Sequence, residues 1–204
     1  MTRLAKLLLA LGLSAGALRA QTSVSGQALG AAVRTPATNL QSGQVTLPPD
    51  GGFRAADVDG LSALEVSVDA LTTMTSGATD IQASTAQSTA HLENVNVLNG
   101  VITAETVIAA TSSWISDVAG RNALGSTFTN LVVNGVALGS GDYLPAPNTR
   151  VTLPGLGYAV LNEQIPSGAS GITVNMIHVV LQDALTGLTT GEIILASASS
   201  SAGN

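Results

Sequence analysis

A chain of 204 residues that is 45 % hydrophobic is long enough to bury one core of ordinary size, and its formal charge of -6 comes from few groups. Seven basic residues against thirteen acidic ones leave too few cations to neutralise a phosphate backbone or an anionic lipid surface, which argues against nucleic acid and acidic membranes as partners. The absence of cysteine excludes disulfides, thiolate catalysis and cysteine-based zinc sites.

Only Phe53, Phe128, Trp114, Tyr143 and Tyr158 are aromatic. A core made of Ala, Val, Leu and Ile suits a repetitive β interior better than an enzyme that fills its centre with rings.

The first twenty residues have the form of an export signal. Arg3 and Lys6 precede the short apolar run Leu7 to Leu13, and Ala15-Gly16-Ala17 and Leu18-Arg19-Ala20 are candidate cleavage sites. The run is too short to span a bilayer. Cleavage after Ala20 would remove three basic residues and no acid, moving the formal charge from -6 to -9. Residues 21–198 are then expected to form a single domain.

Strands are predicted over Val24 to Val33 and Gln44 to Leu47, before Pro48-Pro49-Asp50-Gly51-Gly52 interrupts regular structure. Ala63 to Ala70 alternates as a half-buried strand, with Leu64, Val66 and Val68 on one face. Ser76 to Ala90 is read as extended. Asn99-Gly100, Asn134-Gly135 and Pro154-Gly155 mark tight turns. One helical turn is expected within Ser112 to Gly120, around Trp114, Ile115 and Val118. After Ala198, residues 199–204 read as a disordered polar tail.

Four apolar-threonine pairs recur at intervals of 26, 23 and 21 residues: Ile102-Thr103, Phe128-Thr129, Val151-Thr152 and Ile172-Thr173. Five residues beyond each apolar member stands another one: Val107, Val133, Leu156 and Ile177. Because strand side chains alternate with a period of two, an odd interval requires a bulge or a corner. The recurrence predicts an all-β chain wound as a β-solenoid, a parallel β-helix-like coil. An antiparallel β-sandwich is the alternative.

Five phrases in this region carry a family resemblance: residues 95–107, 126–135, 147–164, 172–179 and 191–194. In this order they resemble the choice-of-anchor P family of exported bacterial proteins, most closely over residues 90–198. The resemblance implies an extracytoplasmic or surface location and brings no catalytic residues with it. The chain departs from the family in showing no recognisable anchor after Ala198. It also lacks the cysteine often found near Ser112-Ser113.

Candidate chemistry is sparse. His91 lies two residues from Glu93, on one face of an extended segment, as half of a metal or proton-transfer site would. A solvated histidine reads equally well. His178 sits in an apolar run, where a histidine usually satisfies a carbonyl. Asp57-Val58-Asp59-Gly60, with Asp50 nearby, resembles part of a calcium loop, but the glutamate that would complete one is missing. Glu105 with Glu163 or Glu192 could form a glycosidase pair if strands stacked suitably, with Trp114, Tyr143 and Tyr158 as the available sugar platforms. Ser167 to Gly171 lacks the nucleophile-elbow pattern. None of these is strong enough to assign a catalytic, cofactor or metal residue. The expected protein is therefore a non-catalytic, secreted or surface structural or adhesion protein, partnered by copies of itself or other envelope proteins. The alternative is a carbohydrate-active enzyme or glycan-binding module.

Overall fold

The computed structural model describes residues 23–80 and 82–203, and the export-signal segment lies outside them. Eighteen strands follow in chain order: β1 (Ser23–Arg34), β2 (Asn39–Ser42), β3 (Val45–Thr46), β4 (Gly51–Val58), β5 (Leu61–Ser62) and β6 (Val66–Val68). Then come β7 (Ala70–Thr79), β8 (Ser84–Val97), β9 (Ile102–Ile115), β10 (Ala119–Asn122), β11 (Thr127–Thr129) and β12 (Val132–Val133). The last are β13 (Val136–Ala137), β14 (Asp142–Tyr143), β15 (Thr149–Leu153), β16 (Gly157–Ser167), β17 (Gly171–Gln182) and β18 (Thr189–Gly203).

They form two antiparallel sheets. The seven-stranded sheet runs β15-β16-β17-β18-β1-β2, with β3 beside β1. The eleven-stranded sheet is built around β4-β7-β8-β9, with short strands at its margins. Ala31, Val33, Ile177, Val179, Ile193 and Leu195 of one sheet share a buried cluster with Leu71, Leu92, Val107 and Phe128 of the other.

The sandwich alternative therefore matches this architecture, and the coil is corrected: a solenoid stacks parallel rungs, whereas each major strand pair here is antiparallel. Ile102 and Phe128 lie in one sheet, and Val151 and Ile172 in the other. Their spacing reflects the length of an up-and-down hairpin. Asn99-Gly100 and Pro154-Gly155 do form turns between neighbouring strands, as does Asn134-Gly135. Trp114 and Ile115 stay extended because β8 pairs with them on one side and β10 on the other, so the expected helical turn is absent. Only Val66 to Val68 of the predicted strand 63–70 belongs to β6, and Leu64 stands 71 % exposed in a turn. The expected polar tail instead completes β18 as far as Gly203, paired with β1, and buries Ser200 and Ala202.

The odd interval has a structural cause where it runs from Ile102, Phe128 and Ile172, whereas from Val151 it ends on Leu156, which is exposed in the β15–β16 turn and crosses no crease. In β1, β18 and β17 the buried parity changes at one row, Gly30, Ala196 and Met176, and Asn162 continues that row in β16, beyond which no residue of that strand is buried. Thus Ile172 and Val174 point inward below the row, and Ile177 and Val179 above it. Asn162 and Ala196 take left-handed backbone there, with φ of 48° and 50°. A second row, Asn94, Glu105 and Asn130, does the same in β8, β9 and the β11–β12 segment, with Asn94 and Asn130 also left-handed. Asparagine tolerates that region better than most residues.

The interior differs on either side of these creases. Above them it is aliphatic. Below them the small or hydroxyl-bearing residues Gly26, Ala28, Thr75, Ala86, Ser88, Ser113, Ala198 and Ser200 join Ile172 and Val174 in the interior, and a Cβ on Gly77 would lie 2.6 Å from Leu47. Hydroxyls join the sheets there: Ser88 donates to the Ser199 carbonyl at 2.7 Å, and Ser113 and Ser200 meet at 2.8 Å.

Asn162 is the most constrained crease residue. It is fully buried, donates to the Pro145 carbonyl at 2.8 Å and accepts from Gln164 at 3.0 Å. Asn162→Ala should cost about 2–4 kcal/mol in urea unfolding, from backbone strain plus an orphaned carbonyl. Asn162→Gly should cost less, because it removes only the hydrogen bonds.

Candidate functional site

The densest polar cluster in the described residues lies on the outer face of the seven-stranded sheet. His178 Nδ1 is 2.9 Å from Glu163 Oε2, and Nε2 is 2.9 Å from Glu192 Oε1. Asn175 donates to the same Glu163 oxygen at 2.7 Å, and Arg34 lies 3.5 Å from Glu192. The array crosses four adjacent strands: β16, β17, β18 and β1.

The crease builds this array. Simple alternation would place Asn175 and His178, three residues apart, on opposite faces. The parity change at Met176 turns both outward, so the Glu163 side chain can meet both. The strand neighbours directly beside His178 are Val160 and Ile194, both half-buried. The His178 and Glu163 side chains are only 17 % and 18 % exposed. Both ring nitrogens of His178 are thus occupied by carboxylate oxygens, which fixes the plane of the ring across three strands.

The other candidate residues stay apart. His91 and Glu93 share a face, but at 4.0 Å and with side chains 38 % and 54 % exposed. Asp57 accepts from Thr72 at 2.8 Å. Asp50 precedes the opposite end of β4, so the three aspartates of the calcium-like stretch do not converge. Among the described residues no group of three or more His, Asp or Glu is arranged to hold a metal ion. In the Glu163-His178-Glu192 array the two carboxylates lie on opposite sides of the ring. Glu105 is bound by Asn130 at 2.6 Å in the other sheet, so it pairs with neither Glu163 nor Glu192.

Each aromatic platform has a neighbour packed against its ring. Arg150 stacks on Tyr158 at 3.6 Å from the ring centre. Tyr143 lies against Gly139, where a Cβ would come within 2.6 Å, and Trp114 lies against its strand partner Gly120. The hollow between residues 152–157 and 182–187 is lined by the ends of β15, β16 and β17 and by the turns that join and follow them. Its acid, Asp183, is held below the usual carboxylate range by the Thr186 backbone amide and hydroxyl and the Leu185 amide.

Sequence reading named Glu163, His178 and Glu192 separately and missed their union. The signal was present: separations of 15 and 14 residues are one hairpin repeat in this meander. Comparison with family models, curated proteins and solved structures finds no match to this chain. Among the described residues, no helix is long and apolar enough to cross a membrane.

A double-mutant cycle on His178→Gln and Glu163→Gln should show coupling of about 1 kcal/mol or more. The same cycle on His91 and Glu93 should show less than about 0.5 kcal/mol, because that pair is exposed and long.

Glu65 allows a pH test. Burial raises its carboxyl, but the Thr35 and Thr38 hydroxyls outweigh this and hold it below the ordinary glutamate value. Thr35 donates to it at 2.6 Å. A folded value below the unfolded one stabilises at neutral pH, and that gain is lost as pH falls from the ordinary glutamate range through the folded value. The wild-type advantage over Glu65→Gln in unfolding midpoint should therefore be present at pH 7 and shrink towards pH 3.

Proposed function

We propose that this chain is a non-catalytic structural or adhesive protein of the cell surface or extracellular medium, exported by its first twenty residues. In this reading it acts by associating with copies of itself or with other envelope proteins. The observation that carries the reading is that the main acid-imidazole cluster is spent on joining strands. His178, Glu163, Glu192 and Arg34 lock four strands of one sheet, with apolar neighbours on either side of the ring.

The low aromatic content and the resemblance of residues 90–198 to the choice-of-anchor P family support the same reading. A carbohydrate-active role is less well supported, because the Tyr158 face that would stack on a sugar carries Arg150.

Fractionation of a bacterial host expressing the whole chain, with mass spectrometry of the N-terminus and a polysaccharide hydrolysis screen, tests the proposal. The expected protein is outside the cytoplasm, shortened by about twenty residues, and silent in the screen. An unprocessed cytoplasmic protein, or hydrolysis abolished by Glu163→Gln, would contradict it.

A further inference from the structure

The margins of the two sheets differ in how well they are closed. Among the described residues, β4 is the longest strand with a single neighbour, at eight residues, whereas the others with one neighbour have two to five. On β15 the Thr152 carbonyl is covered by the Asn134 side-chain amide at 3.0 Å. On β4, Phe53, Arg54, Ala55 and Asp57 are all exposed, although they alternate between the two faces. An edge of this kind presents unpaired backbone donors and acceptors to any extended strand.

We propose that β4 is a homotypic interface, on which a second copy of this chain adds its own β4 antiparallel about a two-fold axis. The proposal rests on the self-associating reading above and names the surface that performs it. The symmetry and the charges select one register. A two-fold axis normal to the sheet keeps each residue on its own face, so directly opposed residues must have numbers of equal parity. The longest overlaps meeting that condition place the axis at Arg54 or at Ala55. The first sets Arg54 against its own copy. The second sets Arg54 against Ala56, Phe53 against Asp57 and Ala55 against itself, so no like charges oppose.

Arg54 also explains why the edge does not accept strands indiscriminately. It is paired with Thr75, whose side chain is buried, and so lies on the inward face of β4. A charge there obstructs an apolar strand but not the small Ala56 of a second copy. The same side chain donates to the Phe53 carbonyl at 2.7 Å, covering one edge acceptor with a group free to swing away. Phe53, 58 % exposed, and Met74, 41 % exposed, then border the seam with apolar surface. Once two β4 strands pair, neither edge remains open, so the product is a closed dimer.

Light scattering on the chain beginning at residue 21 over a concentration series should show the mass rising from one copy to two. Ala55→Lys, which places like charges at the axis on an exposed position, should keep the mass at one copy, with the unfolding midpoint that the wild type shows at concentrations where it too is a single copy. Ala55→Cys should cross-link rapidly under mild oxidation, because Cα atoms opposed across antiparallel strands lie about 4.5–5.5 Å apart, within disulfide reach. Met74→Cys on the adjacent strand should not, because its copy lies three strand spacings away, about 14 Å. A wild-type protein that stays monomeric throughout overturns both the interface and the self-association. Assembly unaffected by Ala55→Lys, or equal cross-linking of the two cysteine variants, overturns the β4 interface alone and leaves self-association standing.

Discussion

The exchange of inward and outward faces partway along the long strands is the constraint on which the rest of this structure depends. A strand with one buried face normally commits every second residue to the core along its whole length. Here two rows of residues, one per sheet, break that commitment together, so strand registers stay in step while the buried parity changes. The cost is left-handed backbone at Asn94, Asn130, Asn162 and Ala196. It is lessened at three of these by asparagine side chains bonded to neighbouring segments: Asn94 to Asp69, Asn130 to Glu105 and Asn162 to Pro145.

Two consequences follow from the creases. The first is an uneven interior, in which glycine, alanine, serine and threonine gather around Gly26, Ser88 and Ser200 on one side of the creases. There hydroxyls bonded to the opposite sheet add to the burial of apolar side chains. The second is the outward His178 array. The parity change at Met176 brings an imidazole, two carboxylates and a guanidinium into line across four strands. These groups bind the sheet laterally as the hydroxyls bind it through its thickness. The same economy leaves β4, beyond the reach of either device, as the long unpaired margin.

Much of this was legible in the chain. The five-residue offset from Ile102 to Val107 and from Ile172 to Ile177 marks the crease directly, because no straight strand can bury both ends of an odd interval. The asparagine-glycine pairs marked their turns. The stacking direction was not legible, because recurring spacing of apolar residues is produced equally by parallel rungs and by antiparallel strands of similar length. Trp114 and Ile115 fit a helical spacing, and it is their pairing with Thr85 and Ser84 on one side and with Gly120 and Ala119 on the other that decides for strand. The polar end at Ser199 looked like a tail because its partners, Ser23 to Gln27, lie at the other end of the chain. His178 met its two glutamates only once the register of three strands was fixed, which local sequence does not specify.

The absence of native cysteine makes the creases directly measurable by single-cysteine labelling along β8. Cysteines replacing Gln87, Thr89 and Glu93 should react with a thiol reagent, as should those replacing Asn94 and Asn96. Those replacing Ala86, Ala90, Val95 and Val97 should be protected in the folded protein. Reactivity would then fall on odd positions up to Glu93 and on even positions from Asn94 onward. Reactivity that keeps one parity from residue 85 to residue 97 would contradict the face exchange and, with it, the account of the core and of the His178 array.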